Sequence, residues 1–305
     1  MVKLQLKGYI PAVTTTFNKD GSIDMDGWIT LLNWLHQEEM HGFAISGSTG
    51  EWFSMSLDER KLLFENCGKH FARKLQLIEG CYAMTIKESV WLAGVAAQNG
   101  FDAILITVPP YLRPNDREAL HFFTEINKYV NIPIIIYNWP IGVGNDLSTS
   151  VLKEISRLDK VVAIKNSTPD LKKFIADLEA LKDDLLVFGA MPSPLGMGLM
   201  KFIGGEGTMG AAGVLGKIYK NFYGAFWSND YASASKFAAI DNDLMSTFFK
   251  NYEGIYGHST ATFKAFFNER GLPGGYVRSP MLDLEDSAKV HIRNFIKKHN
   301  LPKIN

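Results

Sequence analysis

The run VVAIKNS, at residues 161–167, is the stretch of the chain from which its fold can be worked out. Four apolar residues, mostly β-branched, lead directly into Lys165 and a short polar turn. Such a run is typical of a strand that is buried on both faces of a parallel sheet. Lys165 then either extends into water or stays buried, and burial lowers the pKa of its amine and leaves it free to attack a carbonyl group. The run alone favours a lysine that extends into water.

Strand and helix patterns alternate about eight times around this run, at intervals of roughly 20 to 35 residues. The run is the sixth strand, and the other strands are predicted at residues 8–17, 42–46, 75–81, 101–108, 132–138, 185–189 and 207–210. Helices are predicted at residues 26–39, 85–99, 115–129, 146–158 and 171–181, and a capping box at residues 56–59 opens one more. This order predicts an α/β fold of the (β/α)8 TIM barrel type rather than an open doubly wound sheet.

The strand pattern ends at about Lys217, and the rest of the chain has helical periodicity. Helices are predicted there at residues 221–239, 241–252, 260–270 and 286–299. No Ser/Gly-rich linker separates the two parts. We therefore predict a barrel over residues 1–216 and a C-terminal helical extension, residues 217–305, that packs on it.

The composition argues against several classes of partner. Lys+Arg and Asp+Glu each count 32, so the formal net charge is zero and neither nucleic acid nor an anionic membrane is an expected partner. No apolar run approaches the roughly 18 residues of a membrane span, and residues 1–7 lack the apolar segment of a signal peptide. Neither the two cysteines nor the seven scattered histidines have metal-ligand spacing, so no metal or other cofactor is expected, and the expected location is the reducing cytoplasm.

A turn of glycines and hydroxyl groups follows the second predicted strand, where a barrel of this kind builds its active site. Its sequence is Gly47-Ser48-Thr49-Gly50-Glu51. Two hydroxyls with nearby backbone amides can bind a carboxylate, although the same sequence also suits an ordinary tight turn.

Two tyrosines lie at strand ends as well. Tyr111 follows the fourth strand and Tyr137 ends the fifth. Each is either a core residue or a group that transfers protons near a reacting carbonyl. Together with Lys165 and the hydroxyls of the turn, they provide what a class I aldolase needs without a metal. This combination favours the nucleophilic interpretation of Lys165 over a lysine that merely reaches into water.

With these residues the chain resembles the dihydrodipicolinate synthase / N-acetylneuraminate lyase family over residues 8–280. The resemblance rests on four segments in order, namely the turn at residues 47–51, Tyr111-x-Arg113-Pro114, Tyr137-Asn138-x-Pro140, and Ile164-Lys165 at 28 residues from Tyr137. It implies a homotetrameric barrel enzyme that acts on a small-molecule 2-oxo acid.

The resemblance also implies roles for individual residues. Lys165 would form a Schiff base with the 2-oxo group of pyruvate or of a pyruvate-derived acid, and Tyr137 would move protons. Tyr111 would be shared across a dimer interface and complete a relay of tyrosine, hydroxyl and tyrosine in a neighbouring subunit. The residues implied in substrate binding are Gly47, Ser48, Thr49, Gly189 and Met209, and Ser48 is also implied in the relay.

Two positions depart from the family's pattern. Synthases of the family carry an arginine shortly after the Tyr-Asn-x-Pro motif, where it binds the aldehyde's carboxylate, and this chain has Gly142. Sialic acid lyases carry acidic residues just after the seventh strand, and this chain has Gly189-Ala190-Met191-Pro192. The first departure argues against dihydrodipicolinate synthase activity, and the second against a long polyhydroxylated substrate.

Our first hypothesis is therefore a Schiff-base-forming lyase, an aldolase or a dehydratase, that acts on pyruvate or a 2-oxo-3-deoxy acid. The alternatives are a dihydrodipicolinate synthase that condenses pyruvate with aspartate semialdehyde, an N-acetylneuraminate lyase, and a non-catalytic 2-oxo-acid binding protein. The residues left to shape the pocket for the substrate's tail are Trp52, Trp139, Ser193 and Thr208.

Overall fold

The strands form a closed ring of parallel neighbours. The computed structural model describes residues 6–249 and 255–304. Its strands are β1 (Gly8–Ile10), β2 (Gly42–Ile45), β3 (Gln76–Gly80), β4 (Ala103–Ile106), β5 (Ile134–Asn138), β6 (Val161–Asn166), β7 (Leu186–Phe188) and β8 (Gly207–Met209). They pair in the order β1-β8-β7-β6-β5-β4-β3-β2, and just beyond β1 the Val13 N–H donates to the Ala44 carbonyl of β2 at 2.9 Å. The predicted barrel is confirmed.

Helices alternate with the strands and continue after β8. Those before β8 are α1 (Met25–Gln37), α2 (Leu57–Phe71), α3 (Ile86–Gln98), α4 (Asp116–Tyr129), α5 (Pro140–Val143), α6 (Thr149–Ile155), α7 (Leu171–Leu181) and α8 (Pro194–Phe202). Those after it are α9 (Lys217–Trp227), α10 (Tyr231–Phe248), α11 (Ser259–Glu269) and α12 (Asp286–Lys298). The helical extension is confirmed, whereas its boundary as a separate domain stays a prediction. Within residues 6–249 and 255–304, no helix is long and apolar enough to cross a membrane.

The predicted capping box starts α2. Ser56 Oγ accepts a hydrogen bond from the Glu59 N–H at 3.2 Å, and the Glu59 carboxylate accepts one from the Ser56 N–H at 2.9 Å. Reciprocal bonds of this kind satisfy two backbone donors that the first helical turn leaves free. They fix the start of α2 close after the Gly47–Glu51 turn.

Alternation along the strands divides the core into two layers. On β6, Ala163 packs inside the barrel with Ile135 and Phe188, whereas Ile164 packs outward against the helices. Burial of each large aliphatic side chain stabilises the fold by about 1.5–3 kcal/mol. Because side chains alternate along a strand, Lys165 faces the barrel axis as Ala163 does.

Two predicted helices of the extension were placed wrongly. The predicted break near residue 240 does not exist, because α10 continues through it and buries Ala238, Asp241 and Leu244 along one face. The break lies at residues 228–230 instead. There Asn229 adopts a left-handed backbone with φ of 64°, and the Asp230 side chain accepts from the Ser233 N–H at 3.0 Å. The predicted end of the second helix, Tyr252, lies outside the described residues.

Helices α5 and α8, which are short and begin at prolines, were not predicted. The predicted first strand was too long, since only Gly8–Ile10 of residues 8–17 forms a strand. Proline is favoured in the first turn of a helix, where its missing N–H leaves no bond unmade. That signal was present in the sequence at Pro140 and Pro194.

The extension is joined to the barrel through stacked aromatic rings. Tyr219 of α9 stacks on Tyr9 of β1 with 3.6 Å between ring centroids. The Tyr219 hydroxyl donates to Asp241 of α10 at 3.0 Å, and the Tyr9 hydroxyl donates to the Gly210 carbonyl at 2.7 Å. These contacts set α10 in place beside the mouth of the barrel.

Candidate active site

Lys165 lies near the carboxyl end of β6, opposite Tyr137 of β5 in the strand register. Its Nζ atom is 4.2 Å from the centroid of the Tyr137 ring, and the residue is 7% exposed. Burial lowers the pKa of Lys165 from 10.5 to about 7. About half of the amine is therefore neutral at neutral pH, which is the form that attacks a carbonyl group.

Tyr137 is held within a row of aromatic rings. Its ring is parallel to that of Trp139 with 5.7 Å between centroids, and tilted against that of Tyr82 at 5.9 Å. Tyr82 in turn contacts Trp52, at 5.8 Å. Side chains packed in this way have few alternative rotamers, so the phenol of Tyr137 stays close to Lys165.

The turn that carries Ser48 and Thr49 is fixed by hydrogen bonds within it. The Glu51 N–H donates to the Ser48 carbonyl at 3.1 Å, and the Trp52 N–H donates to the Gly47 carbonyl at 3.3 Å. Gly47 is buried, whereas Ser48 and Thr49 are half-buried. The two hydroxyl side chains therefore sit on a turn whose backbone is held in place.

The extension anchors the same turn through Glu51. Glu51 is completely buried and forms an ion pair with the buried Lys264 of α11, and its carboxylate accepts from the Arg278 N–H at 3.0 Å. Burial raises the pKa of Glu51, while the charge of Lys264 opposes that shift. Removal of one partner of a buried ion pair is costly because the other charge is left unpaired.

A cavity of about 450 Å³ opens beside Lys165. Gly189 and Met209, which the sequence analysis assigned to substrate binding, line it together with the lysine. The rest of its wall comes from the loops after β6 and β7 and from helices α7, α8 and α10, the last with Asp241 and Met245. Three of the predicted site residues thus line one cavity, Tyr137 lies beside the lysine, and the extension adds a wall.

Comparison with known proteins identifies the family. The model of the dihydrodipicolinate synthetase family matches residues 5–299. The chain belongs to this family. It is therefore an enzyme, a class I pyruvate-dependent lyase that works through a Schiff base, and the predicted family and enzyme class are confirmed.

Relatives and solved structures cover nearly the whole chain. The 4-hydroxy-tetrahydrodipicolinate synthase of Bartonella henselae is 29% identical over 93% of this chain and 95% of its own. The N-acetylneuraminate lyase of Clostridium perfringens is 27% identical over 96% of this chain and 100% of its own. The crystal structure of dihydrodipicolinate synthase from Aquifex aeolicus is similar with a TM-score of 0.88 and 25% identity, over 98% of this chain and 100% of that one.

Gly142, where the resemblance led us to expect the arginine of a synthase, is covered by a neighbouring side chain. A Cβ atom on Gly142 would overlap the six-membered ring of the Trp139 indole. Gly142 lies in α5, which Trp139 caps, so the contact is set locally. No side chain, and least of all a guanidinium, fits at this position while Trp139 keeps its place.

The cavity beside Lys165 has few charged side chains with which to bind a dicarboxylic acid. Among its lining residues in the described part of the chain, Lys165 is the one basic side chain and Asp241 the one acid. Burial raises the pKa of Asp241 from 3.8 to about 7. The walls after β7 carry Met191 and Pro192, so this end of the cavity is mostly apolar.

Within one chain, Tyr111 does not line the cavity beside Lys165. It is 92% exposed, and its backbone has φ of 76°, in the left-handed region. The adjoining Leu112, 67% exposed, lines a second cavity of about 750 Å³ with Met84 and His121. The predicted role of Tyr111 in a neighbouring subunit thus stays a prediction.

Two site residues were missed, Tyr82 and Asp241. Tyr82 follows β3 as Tyr111 follows β4, so the rule that selected side chains just after strands would have found it. Asp241 had no such signal, because it reaches the cavity from the middle of a helix in the extension. In the described residues no three His, Cys, Asp or Glu side chains lie close enough together to hold a metal ion.

Proposed function

We propose that Lys165 forms the Schiff base with the 2-oxo group of pyruvate or of a 2-oxo-3-deoxy acid. The observation that carries this proposal is the burial of Lys165 opposite Tyr137, with its pKa lowered to about 7. In the reaction the amine attacks C2, and Tyr137 moves one proton from the nitrogen to the oxygen to give a carbinolamine. The hydroxyl then takes up a second proton from solvent and leaves as water while the C2–N double bond of the protonated imine forms.

The protonated imine then draws electrons from C3 of the substrate. In an aldolase the C3–C4 bond breaks while Tyr137 removes the proton of the 4-hydroxyl group, and the electrons form an enamine. In a dehydratase a C3 proton passes to solvent and the enamine forms first, and the 4-hydroxyl then takes up a proton and leaves as water. Ser48 and Thr49, with the backbone of Gly47, hold the carboxylate through hydrogen bonds, which are stronger to a charged acceptor.

The part of the substrate beyond C3, its second half, is an uncharged group with at most a few hydroxyls. Two observations support this statement: Trp139 covers Gly142, and Lys165 is the one basic residue among the described residues of the cavity wall. A second carboxylate would therefore meet no guanidinium and would face the acid Asp241. This favours a 2-oxo-3-deoxy acid with a short tail.

We also assign the enzyme to a homotetramer in the cytoplasm. Tyr111 would then complete the proton relay of a neighbouring subunit, with Ser48 between the two phenols. The exposure of Tyr111 and of Leu112 beside it supports a covered surface at this loop. The free, buried thiols of Cys67 and Cys81 suit a reducing compartment.

Borohydride reduction in the presence of pyruvate tests the Schiff base. Mass spectrometry should find the reduced pyruvate adduct on Lys165 in the wild type and none in Lys165→Ala. An unmodified wild type, or equal labelling of the variant, contradicts the proposal. A panel of 2-oxo-3-deoxy acids, with identification of the products, then separates cleavage from dehydration.

A second candidate is a dihydrodipicolinate synthase that binds its aldehyde without the arginine. The observation in its favour is the similarity to named synthases, 29% identical over 93% of the chain. Condensation of pyruvate with aspartate semialdehyde, at a rate above that with the 2-oxo-3-deoxy panel, would establish it in place of the first.

A further inference from the structure

Tyr82 lies between the turn and the proposed catalytic pair, although the proposed mechanism gives it no role. It is 1% exposed and follows the end of β3. Its ring centroid is 5.9 Å from that of Tyr137, on one side, and 5.8 Å from that of Trp52 on the other. Tyr82 therefore lies beside Tyr137, the residue that we propose transfers protons.

The ring of Tyr82 is held in one orientation. A Cβ atom on Gly80 would lie 2.7 Å from Cε2 of the ring, so the ring lies directly against the backbone of β3. Arg60 donates from Nη1 to the Tyr82 carbonyl at 2.7 Å, and its guanidinium lies 5.6 Å from the Trp52 ring. The hydroxyl of Tyr82 is therefore placed before any substrate arrives.

That hydroxyl has no hydrogen-bond partner among the residues that the structure describes, although it is fully buried. Three other buried tyrosines have partners: Tyr9 donates to Gly210, Tyr219 to Asp241, and Tyr223 pairs with Thr208 at 2.9 Å. A buried polar group without a partner is rare and destabilising. We therefore expect the partner of the Tyr82 hydroxyl to be a bound ligand.

The position of the hydroxyl indicates what that partner is. Tyr82 Oη lies 3.9 Å from where a Cβ atom on Gly47 would be, at the start of the Ser48–Thr49 turn. Burial raises the pKa of Tyr82 well above its ordinary value, so the group remains a neutral phenol and acts as a donor. A donor beside a turn that binds a carboxylate suits an anionic acceptor.

We propose that Tyr82 is a further substrate-contacting residue, whose Oη–H donates a hydrogen bond to the carboxylate of the 2-oxo acid held at the Gly47–Thr49 turn. The proposal rests on the proposed function, since it takes the bound acid from there. It makes Tyr82 a determinant of how tightly the 2-oxo acid binds, separate from the proton transfers of Tyr137.

The experiment measures borohydride trapping as a function of pyruvate concentration in the wild type and in Tyr82→Phe. The half-saturating pyruvate concentration should rise by roughly 10- to 100-fold in the variant, the usual effect of losing a hydrogen bond to a charged group. The trapping rate at saturation should change less than about threefold. Hydroxyacetone, which has CH₂OH where pyruvate has the carboxylate, should be trapped equally by both proteins.

Thermal unfolding without ligand separates this role from a structural one. Tyr82→Phe should keep or raise the midpoint, because no bond within the described residues is lost. Tyr9→Phe, the matched control, should lower the midpoint because it leaves the Gly210 carbonyl unpaired, and it should keep wild-type pyruvate dependence.

Three results would overturn the proposal. They are an unchanged half-saturating pyruvate concentration in Tyr82→Phe, a lower saturating rate with no change in that concentration, and an equal loss with hydroxyacetone. If the wild type itself gives no adduct, the proposed function fails. If the wild type gives the adduct and Tyr82→Phe behaves as wild type, only the role of Tyr82 fails.

Discussion

Lys165 and Tyr137 face each other across the β5–β6 pair, with the lysine Nζ atom 4.2 Å from the centroid of the tyrosine ring. The ring face is an apolar neighbour with a weak attraction for a cation. It excludes water without supplying a counter-charge, and burial is the one cause that lowers the pKa of Lys165. Burial without a counter-charge therefore leaves about half of the amine neutral at neutral pH in the resting protein.

Imine formation should depend on pH through Lys165. Because its pKa is about 7, the initial rate of trapping with pyruvate should rise between pH 5 and pH 7 and level off above about pH 8. An ordinary lysine would give a rate that still rises at pH 9. A rate that continues to rise up to pH 10 would contradict the lowered pKa.

The same shift predicts a stability effect. The folded state releases the Lys165 proton at about pH 7 whereas the unfolded chain holds it to about pH 10.5, so stability rises with pH between these values. Lys165→Met should therefore raise the free energy of unfolding at pH 7 by roughly 2–5 kcal/mol. The gain should shrink as the pH approaches 10.5. Urea unfolding at both pH values, with Lys69→Met on the surface as control, measures it.

Tyr137→Phe should lower turnover by roughly 10²- to 10⁴-fold, because it removes the hydroxyl that we propose as general acid and base. The ring and its stacking on Trp139 are retained, so the thermal midpoint should stay within a few degrees of wild type. Steady-state kinetics on the substrate identified by the panel provide the measurement. A loss below about threefold would assign the proton transfers to another group.

Trp139 and Gly142 should be energetically coupled. Gly142→Ala places a methyl group in the Trp139 indole and should destabilise the fold by about 1–3 kcal/mol. In a Trp139→Ala background the same change should be nearly neutral, because the indole is gone. A double-mutant cycle by urea unfolding measures the coupling, and additive effects would show that the indole moves aside at little cost.

Because of Asp241, the free energy of unfolding should fall as the pH rises. Its pKa is raised from 3.8 to about 7, so between these values the folded state keeps a proton that the unfolded chain has lost. Asp241→Asn should therefore raise the free energy of unfolding at pH 8 by about 2–4 kcal/mol and leave it nearly unchanged at pH 3.5. Asparagine still accepts the bond from Tyr219. An equal gain at both pH values would point to packing instead of charge.

Subunit mixing tests whether Tyr111 serves a neighbour. Tyr111→Phe and Lys165→Ala should each be nearly inactive alone. Mixed oligomers contain sites in which a wild-type Lys165 meets a wild-type Tyr111 from the other chain, so activity should return on co-refolding. If activity does not return although mixed oligomers form, Tyr111 acts in its own chain or not at all.

The sequence by itself determined the barrel, the place of Lys165 and the family's motif, because each depends on local pattern. Strand periodicity, strand-end residues and the capping box are all set by neighbours along the chain, and the segment at residues 171–181 was predicted with its true bounds. The predicted helix boundary near residue 240 was wrong. The apolar pattern was interpreted as ending there, whereas the turn at residues 228–230 separates the two helices.

Only the tertiary structure decided which groups surround the lysine and what they do to it. Lys165 suits the role of nucleophile that we propose for it because residues distant in sequence bury it, and the extent of that burial is a property of the folded chain. Trp139 over Gly142, Asp241 in the cavity wall and the unpaired hydroxyl of Tyr82 likewise depend on packing between elements. Solvation and steric contact are properties of the assembled site. The departures at Gly142 and residues 189–192 were visible in the sequence, whereas the indole over Gly142 and the acid in the cavity wall were visible only in the fold.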